Sequence, residues 1–387
     1  MRRLTVLSAC LFALAAMPAH ATTVPHYKIS LIGGDAAYSS GYGLSPTGQV
    51  VGEAAGAGGA GQAALWGVDG ARQHTGSDYS LLYAVNSAGT AVGNSYDSGV
   101  MHASRLSGGV LSTYGAPGTE NYLRSINEAG DATGWQRVWN PSIGMWDISV
   151  ISLSADGVFS VGPSLGSYWG DDPTAAAVWD INNAGVILGN AANFGDGNSD
   201  IFTIDADGMH NIGTMGGTTA LASAINDAGV IVGQSTYSDA NDATHAVRWA
   251  NGVWTDLGTL AGDDYGVSSA VFDINNLGGM VGVSYTDASA TDMRATIWVD
   301  DQIYDLATLL NNGQGWTLSY ANAVNDNGQI VGTGYLNGVQ HAFLLTPEEA
   351  SDGGAVPEPA SWALMLAGFG LVGGTLRSRP RSYAAAI

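Results

Sequence analysis

The chain has 387 residues, 45% of them hydrophobic and only 12% charged, with 56 glycines and a formal charge of −22. Between residues 22 and 356 it carries 33 acidic side chains against seven basic ones, Lys28 being the only lysine, so this stretch stands at −26. Too few cations are present to displace phosphate counterions, which excludes nucleic acid as a partner and simple electrostatic docking on anionic lipid.

The chain opens on Met1-Arg2-Arg3, is apolar over residues 4–17, and then reads Pro18-Ala19-His20-Ala21, with small residues at −3 and −1 of a cut after Ala21. A charged start, a short apolar middle and a small-residue cleavage site predict a secretory signal peptide over residues 1–21. The apolar run falls short of the ~20 residues of a spanning helix, which argues against an uncut anchor. Cys10, the single cysteine, leaves with it. The exported body then has no disulfide, thiol nucleophile or thiolate metal site.

One phrase organises residues 22–346: apolar, Asn, two residues, Gly, three residues, Gly. It occurs as Val85-Asn86 with Gly89 and Gly93, Ile126-Asn127 with Gly130 and Gly134, and Ile181-Asn182 with Gly185 and Gly189. Ile225-Asn226 with Gly229 and Gly233, Ile274-Asn275 with Gly278 and Gly282, and Val324-Asn325 with Gly328 and Gly332 continue it. Leu44-Ser45 with Gly48 and Gly52 is a first copy with Ser in the Asn place. The first glycines lie 41, 41, 55, 44, 49 and 50 residues apart. The phrase is a hairpin turn. Asn or Ser bonds back to the backbone, the first Gly takes a positive φ, and the second allows close backbone approach.

A third strand often ends in Trp, as at residues 63–66, 245–249 and 295–298. A pair such as Asp69-Gly70 or Asn251-Gly252 then turns into a fourth strand, read as residues 254–260 in the fifth copy. Four short strands per copy, in seven copies, predict an all-β fold: a β-propeller of about seven four-stranded blades. The last copy lacks its fourth strand, and residues 27–35 parallel the missing piece. The N-terminal strand is therefore expected to close the last blade and remove two open edges.

His341-Ala342-Phe343, with the partial matches His245-Ala246-Val247 and His102-Ala103-Ser104, gives these copies a resemblance to the extracellular HAF-repeat family over most of residues 27–346. The third copy departs from it, with three tryptophans in residues 135–148 and no clear His-Ala-Phe. The resemblance implies architecture and an extracellular location. The His reads as a strand start, because Gln62 and Arg294 take its place elsewhere.

Residues 347–355 form a linker, after which Val356-Pro357-Glu358-Pro359 precedes 17 uncharged residues, 360–376, and then Arg377, Arg379 and Arg381. The apolar run sits at the short limit of a transmembrane helix, and flanking arginines stay cytoplasmic, leaving the body outside. Motif, apolar stretch and arginine cluster resemble the PEP-CTERM sorting signal of exopolysaccharide-producing Gram-negative bacteria, over residues 356–387. The resemblance implies handling by an exosortase, transient anchoring in the inner membrane, and delivery to the cell envelope or extracellular matrix. Residues 22–350 are expected to fold without this tail.

No H-E-x-x-H and no G-x-G-x-x-G joining strand to helix occurs, and the sequence nominates no catalytic residue and no organic cofactor. Asp196, Asn198, Asp200 and Asp207 mimic part of an EF-hand calcium loop, but the glycine at position six is missing and strands flank it. Calcium is the metal this leaves open, with a solvated acidic turn as the alternative. Loops after the second and fourth strands of a blade share one face. They repeat an aromatic beside acids: Tyr96, Tyr237 with Asp239, Tyr285 with Asp287, and Asp264 with Tyr265. Flat rings and carboxylates that accept from hydroxyls suit a polysaccharide, while Tyr packing a strand end beside an Asp turn is the plainer reading. Two functions fit. The first, favoured by the missing catalytic signature, is a non-catalytic surface or extracellular-matrix protein whose propeller binds polysaccharide or protein partners. The second is a secreted propeller enzyme acting on glycans through facing carboxylates near the central channel.

Overall fold

The computed structural model describes residues 24–168, 176–191, 199–236, 243–262, 266–289 and 291–348. The predicted signal peptide and the sorting tail with its apolar stretch lie outside the described residues.

Each copy of the phrase builds one antiparallel four-stranded sheet, and seven such sheets form a ring. After β1 (Tyr27–Ile32), blade 1 holds β2 (Ser39–Leu44), β3 (Val50–Ala55), β4 (Gly61–Trp66) and β5 (Arg72–Asp78). Blade 2 holds β6 (Ser80–Val85), β7 (Ala91–Asp97), β8 (Val100–Ser107) and β9 (Val110–Tyr114). Blade 3 holds β10 (Thr119–Ile126), β11 (Ala132–Asn140), β12 (Met145–Leu153) and β13 (Phe159–Tyr168). Blade 4 holds β14 (Ala176–Ile181), β15 (Ile187–Ala191), β16 (Asp200–Asp205) and β17 (Gly208–Gly213). Blade 5 holds β18 (Ala220–Ile225), β19 (Ile231–Ser235), β20 (His245–Ala250) and β21 (Val253–Asp256). Blade 6 holds β22 (Ser269–Ile274), β23 (Met280–Tyr285), β24 (Met293–Val299) and β25 (Gln302–Asp305). Blade 7 holds β26 (Trp316–Val324), β27 (Ile330–Leu336) and β28 (Val339–Pro347), and β1 completes it, with Tyr27 opposite Pro347 and Ile32 opposite Ala342.

The turn of the phrase forms as its residues dictate. Gly89 N donates to Asn86 O at 3.0 Å, and the seven first glycines have φ between 71° and 92°. Asn86 Oδ1 accepts from Thr90 N at 3.1 Å, which is the expected local bond. Its amide also does something the local pattern does not announce: Nδ2 donates to Asn127 O of the next blade at 3.2 Å. The same bond runs from Asn127 to Asn182, Asn182 to Asn226, Asn226 to Asn275, Asn275 to Asn325, and Asn325 to Ser45. The turns are thereby laced into one rim. Asn supplies both an acceptor and a donor, whereas Ser45 accepts from Gln49 N and has no second arm to send onward.

The core is not at the centre of the ring. It is split into seven apolar clusters, one between each pair of neighbouring blades. Trp66 and Trp298, both fully buried, pack in two of them, and Trp298 Nε1 donates to Leu257 O of the preceding blade at 3.0 Å. The fourth strand of blade 5 is shorter than the sequence suggests and ends at Asp256. Asp256 Oδ1 accepts from Gly258 N at 2.8 Å, which turns the chain, and Leu257 drops into the cluster shared with blade 6.

Candidate functional site

The strands that face the centre are the first of each blade, and every one of them carries a β-bulge. Pairing skips Tyr42, Tyr83, Arg124 and Trp179 in blades 1 to 4, and Ser223, Phe272 and Asn322 in blades 5 to 7. A bulge puts two residues opposite one and re-aims a side chain. Here it turns an extra side chain per blade toward the axis. The residue opposite each bulge is the second glycine of the phrase. A Cβ on Gly134 would stand 1.8 Å from Tyr122 O, and the other six second glycines meet a carbonyl oxygen at 1.9 to 2.4 Å. The close approach inferred from the spacing is thus the backbone of the bulge itself.

The bulged strands enclose a cavity of about 790 Å³ on the ring's axis, lined by Tyr42, Tyr83, Arg124, Trp179, Phe272 and Asn322, with Tyr320 beside Phe272. The Arg124 guanidinium lies over the Tyr83 ring, Cζ 3.9 Å from its centroid, and 4.9 Å from that of Trp179. Burial lowers its pKa, and the phenols of Tyr83 and Tyr42 partly offset this. It remains a cation at neutral pH. The Tyr42 and Tyr83 rings lie 5.9 Å apart, and Tyr42 donates to Glu53 Oε1 at 3.1 Å. Phe272 and Tyr320 stack at 6.4 Å.

Asp180 and Asp273 are among the carboxyls that line the same cavity. Asp180 accepts from Ser125 Oγ at 2.6 Å, from Ile181 N at 2.8 Å, and from Ile225 N of blade 5 at 2.8 Å. Asp273 accepts from Ile274 N and from Val324 N of blade 7, both at 2.8 Å. Burial raises both; Asp273 is pushed up to about 8, against the pull of Val324 N and with Asp180 adding repulsion. A carboxyl whose pKa is higher in the folded than in the unfolded state holds its proton better when folded. Its contribution is full below about 3.9 and is lost as pH rises through the folded value. The melting temperature should therefore fall between pH 5 and pH 9, and Asp273→Asn should flatten that fall. An equal slope in the variant would contradict the assignment.

One mouth of the channel is the rim of turns. Its exposed acids are occupied: Glu128 accepts from Ser87 N at 3.1 Å, Asp227 from Asn183 N at 2.9 Å and Asp326 from Asn276 N at 2.8 Å. The opposite mouth carries the loops after the second and fourth strands. There Tyr96 is 46% exposed with its ring 6.3 Å from that of Tyr79, and Asp287 turns its own loop by accepting from Ser289 N at 2.8 Å. Tyr96 belongs to blade 2 and the half-buried Tyr285 to blade 6, so they do not form one site. Tyr237, Asp239, Asp264 and Tyr265 lie outside the described residues, as do Asp196 and Asn198. Asp200 is buried at the start of β16 and accepts from Asn211 Nδ2 at 2.8 Å, while Asp207 lies past its far end. The strand, roughly 17 Å long at ~3.3 Å per residue, separates the two. Among the described residues no three His, Cys, Asp or Glu side chains are grouped to hold a metal.

Sequence reasoning missed Arg124, Asp180 and Asp273. The available signal was the position two before the apolar residue of the phrase, which is Tyr, Tyr, Arg, Trp, Ser, Phe and Asn across the copies while its surroundings repeat. It also passed over Gly162-Pro163-Ser164-Leu165-Gly166, a formal match to the nucleophile-elbow string G-x-S-x-G. That string lies within β13, the fourth strand of blade 3, with no strand-to-helix turn to expose a nucleophile.

Residues 355–381 match the PEP-CTERM protein-sorting motif, which takes in Val356-Pro357-Glu358-Pro359, Arg377 and Arg379. The motif implies recognition by exosortase-type sorting machinery and export to the cell envelope of a Gram-negative bacterium. No curated protein matches the chain. Among solved structures, the β-propeller domain of the Trilobed protease from Pyrococcus furiosus aligns over 86% of this chain and 99% of its own, at 9% identity and a TM-score of 0.51. The uncomplexed acylaminoacyl peptidase of Pyrococcus horikoshii aligns over 82% of this chain and 53% of its own, at 9% identity and a TM-score of 0.51. At this identity the likeness shows the propeller fold alone. The first of these is described with an open velcro topology; here β1 and β28 pair along six residues.

Proposed function

We propose that the protein is a non-catalytic β-propeller of the cell envelope or extracellular matrix that binds polysaccharide in its central channel. The observation that carries this reading is the bulge in every inner strand. Seven separate distortions of the sheet are kept, each needing its own glycine, and together they aim aromatic and polar side chains into one cavity. Flat rings with polar groups between them match the alternating apolar faces and hydroxyl edges of a sugar chain. The loop residues singled out in the sequence, Tyr237, Tyr265 and Tyr285 above all, are proposed to guide the polymer. The HAF-repeat resemblance agrees with an extracellular setting.

Retention of the full-length protein on the native exopolysaccharide tests this. Replacing Phe272 and Tyr320 together by Ala removes one stacked pair of rings, and an aromatic contact is worth about 0.5–1.5 kcal/mol. Retention should weaken roughly tenfold, with the melting temperature nearly unchanged. Replacing Tyr237, Tyr265 and Tyr285 by Ala should abolish retention on polymer while leaving the affinity of a short fragment intact. Unaltered retention in both variants would overturn the proposal.

A second reading, a glycan-cleaving enzyme, is favoured by Asp180 and Asp273 lining one cavity with raised pKa values. Their oxygens already hold backbone N–H groups of two blades, which suits bracing. Release of reducing ends from the polymer, lost in Asp273→Asn, would establish the enzyme.

A further inference from the structure

Arg124 stands apart from the other arginines of the body. Of its six arginines, four pair with carboxylates: Arg72 with Asp35, Arg137 with Glu120, Arg248 with Asp301 and Arg294 with Asp292. Arg105 donates to Ser154 O at 3.0 Å. Arg124 forms no ion pair with any described residue, although acidic side chains outnumber basic ones almost fivefold. A partly buried charge without a counter-charge is unfavourable. This one is held over Tyr83 beside Trp179, on the wall of the axial cavity.

We propose that Arg124 receives the carboxylate of an acidic sugar in a polysaccharide chain. This rests on the reading of the channel as a polysaccharide site and names what that site selects. A planar guanidinium fixed by stacking offers paired N–H donors that match a carboxylate. The rings of Tyr83, Trp179 and Tyr42 and a cavity of about 790 Å³ call for a ring-bearing ligand rather than a bare ion. Glu128, Asp227 and Asp326 line the turn-side mouth, so Arg124 is the cation available to an anionic sugar in the cavity.

Binding of three probes to the full-length protein by calorimetry tests this: a uronic-acid oligosaccharide, its carboxyl-reduced counterpart, and inorganic phosphate. The acidic oligosaccharide should bind at least tenfold more tightly than the reduced one, and phosphate should not compete. Arg124→Gln should erase the difference, and Arg124→Lys should keep part of it. Without ligand, Arg124→Met should raise the melting temperature by roughly 2 °C, because a half-buried charge without a counter-charge is replaced by apolar packing. A lower melting temperature would give Arg124 a structural role and overturn the proposal. If both oligosaccharides bind equally and Arg124→Gln changes nothing, this inference fails while the polysaccharide reading stands. If neither binds, the polysaccharide reading itself fails. Competition by phosphate at equal affinity would assign Arg124 to anions in general and overturn the choice of sugar.

Discussion

Deleting residues 24–34 should unfold the entire ring in one transition rather than loosen one blade. The deletion removes Tyr27, Ile29 and Ile32, all buried, from the clusters on either side of blade 7. Each is worth about 1.5–3 kcal/mol. It also removes the six-residue ladder with β28 and the bonds of Ile29 to Asn312. The sum is comparable with the 5–15 kcal/mol that separates a typical folded domain from its unfolded chain. An open edge on β28 would remain as a template for aggregation. Urea unfolding followed by tryptophan fluorescence and by far-ultraviolet circular dichroism should show the loss at a single midpoint. A variant that kept six blades, with only a fraction of the signal lost, would contradict closure by β1.

The second large effect is expected from a single methyl group. Gly134→Ala places a Cβ 1.8 Å from Tyr122 O and 2.9 Å from Leu123 Cα, both backbone atoms of the bulge. No rotamer relieves a backbone clash, so the bulge must straighten or the two strands must part. We expect about 3 kcal/mol or more of lost stability, at the upper end of overpacking. Gly229→Ala is the control. That glycine is the first of its phrase, with φ +75° and nothing within 4 Å of an added Cβ. It should lose only the ~1–2 kcal/mol of a left-handed residue that is no longer glycine. Equal losses in the two variants, measured by urea unfolding, would remove the distinction between turn glycine and bulge glycine.

That distinction marks how far the sequence could be read. The turn is a local event, so Asn86, Gly89 and their counterparts announce it through spacing alone, and the blade count follows. The closing strand was legible because a missing piece at one end had a twin at the other, and residues 27–32 are where that twin pairs. The channel was not legible, because a bulge is a property of two strands in register. Leu123 opposite Gly134 and Ser125 opposite Thr133, with Arg124 left over, is a relation across a hairpin. Alternation along β10 alone would have assigned Arg124 no special direction. Asp180 and Asp273 escaped for the same reason: each looks like an ordinary strand-end acid until the N–H of the neighbouring blade is seen to reach it. The loop tyrosines, by contrast, carry chemistry visible residue by residue, but Tyr96 and Tyr285 stand on different blades.

The most direct test of the channel as the binding site is a crystal structure of the full-length protein with an oligosaccharide released from the native exopolysaccharide. A sugar ring should occupy the axial cavity, stacked on Tyr83, Trp179 or Phe272. Saturating oligosaccharide found only on the outer faces of the blades, with the cavity holding water, would contradict the account.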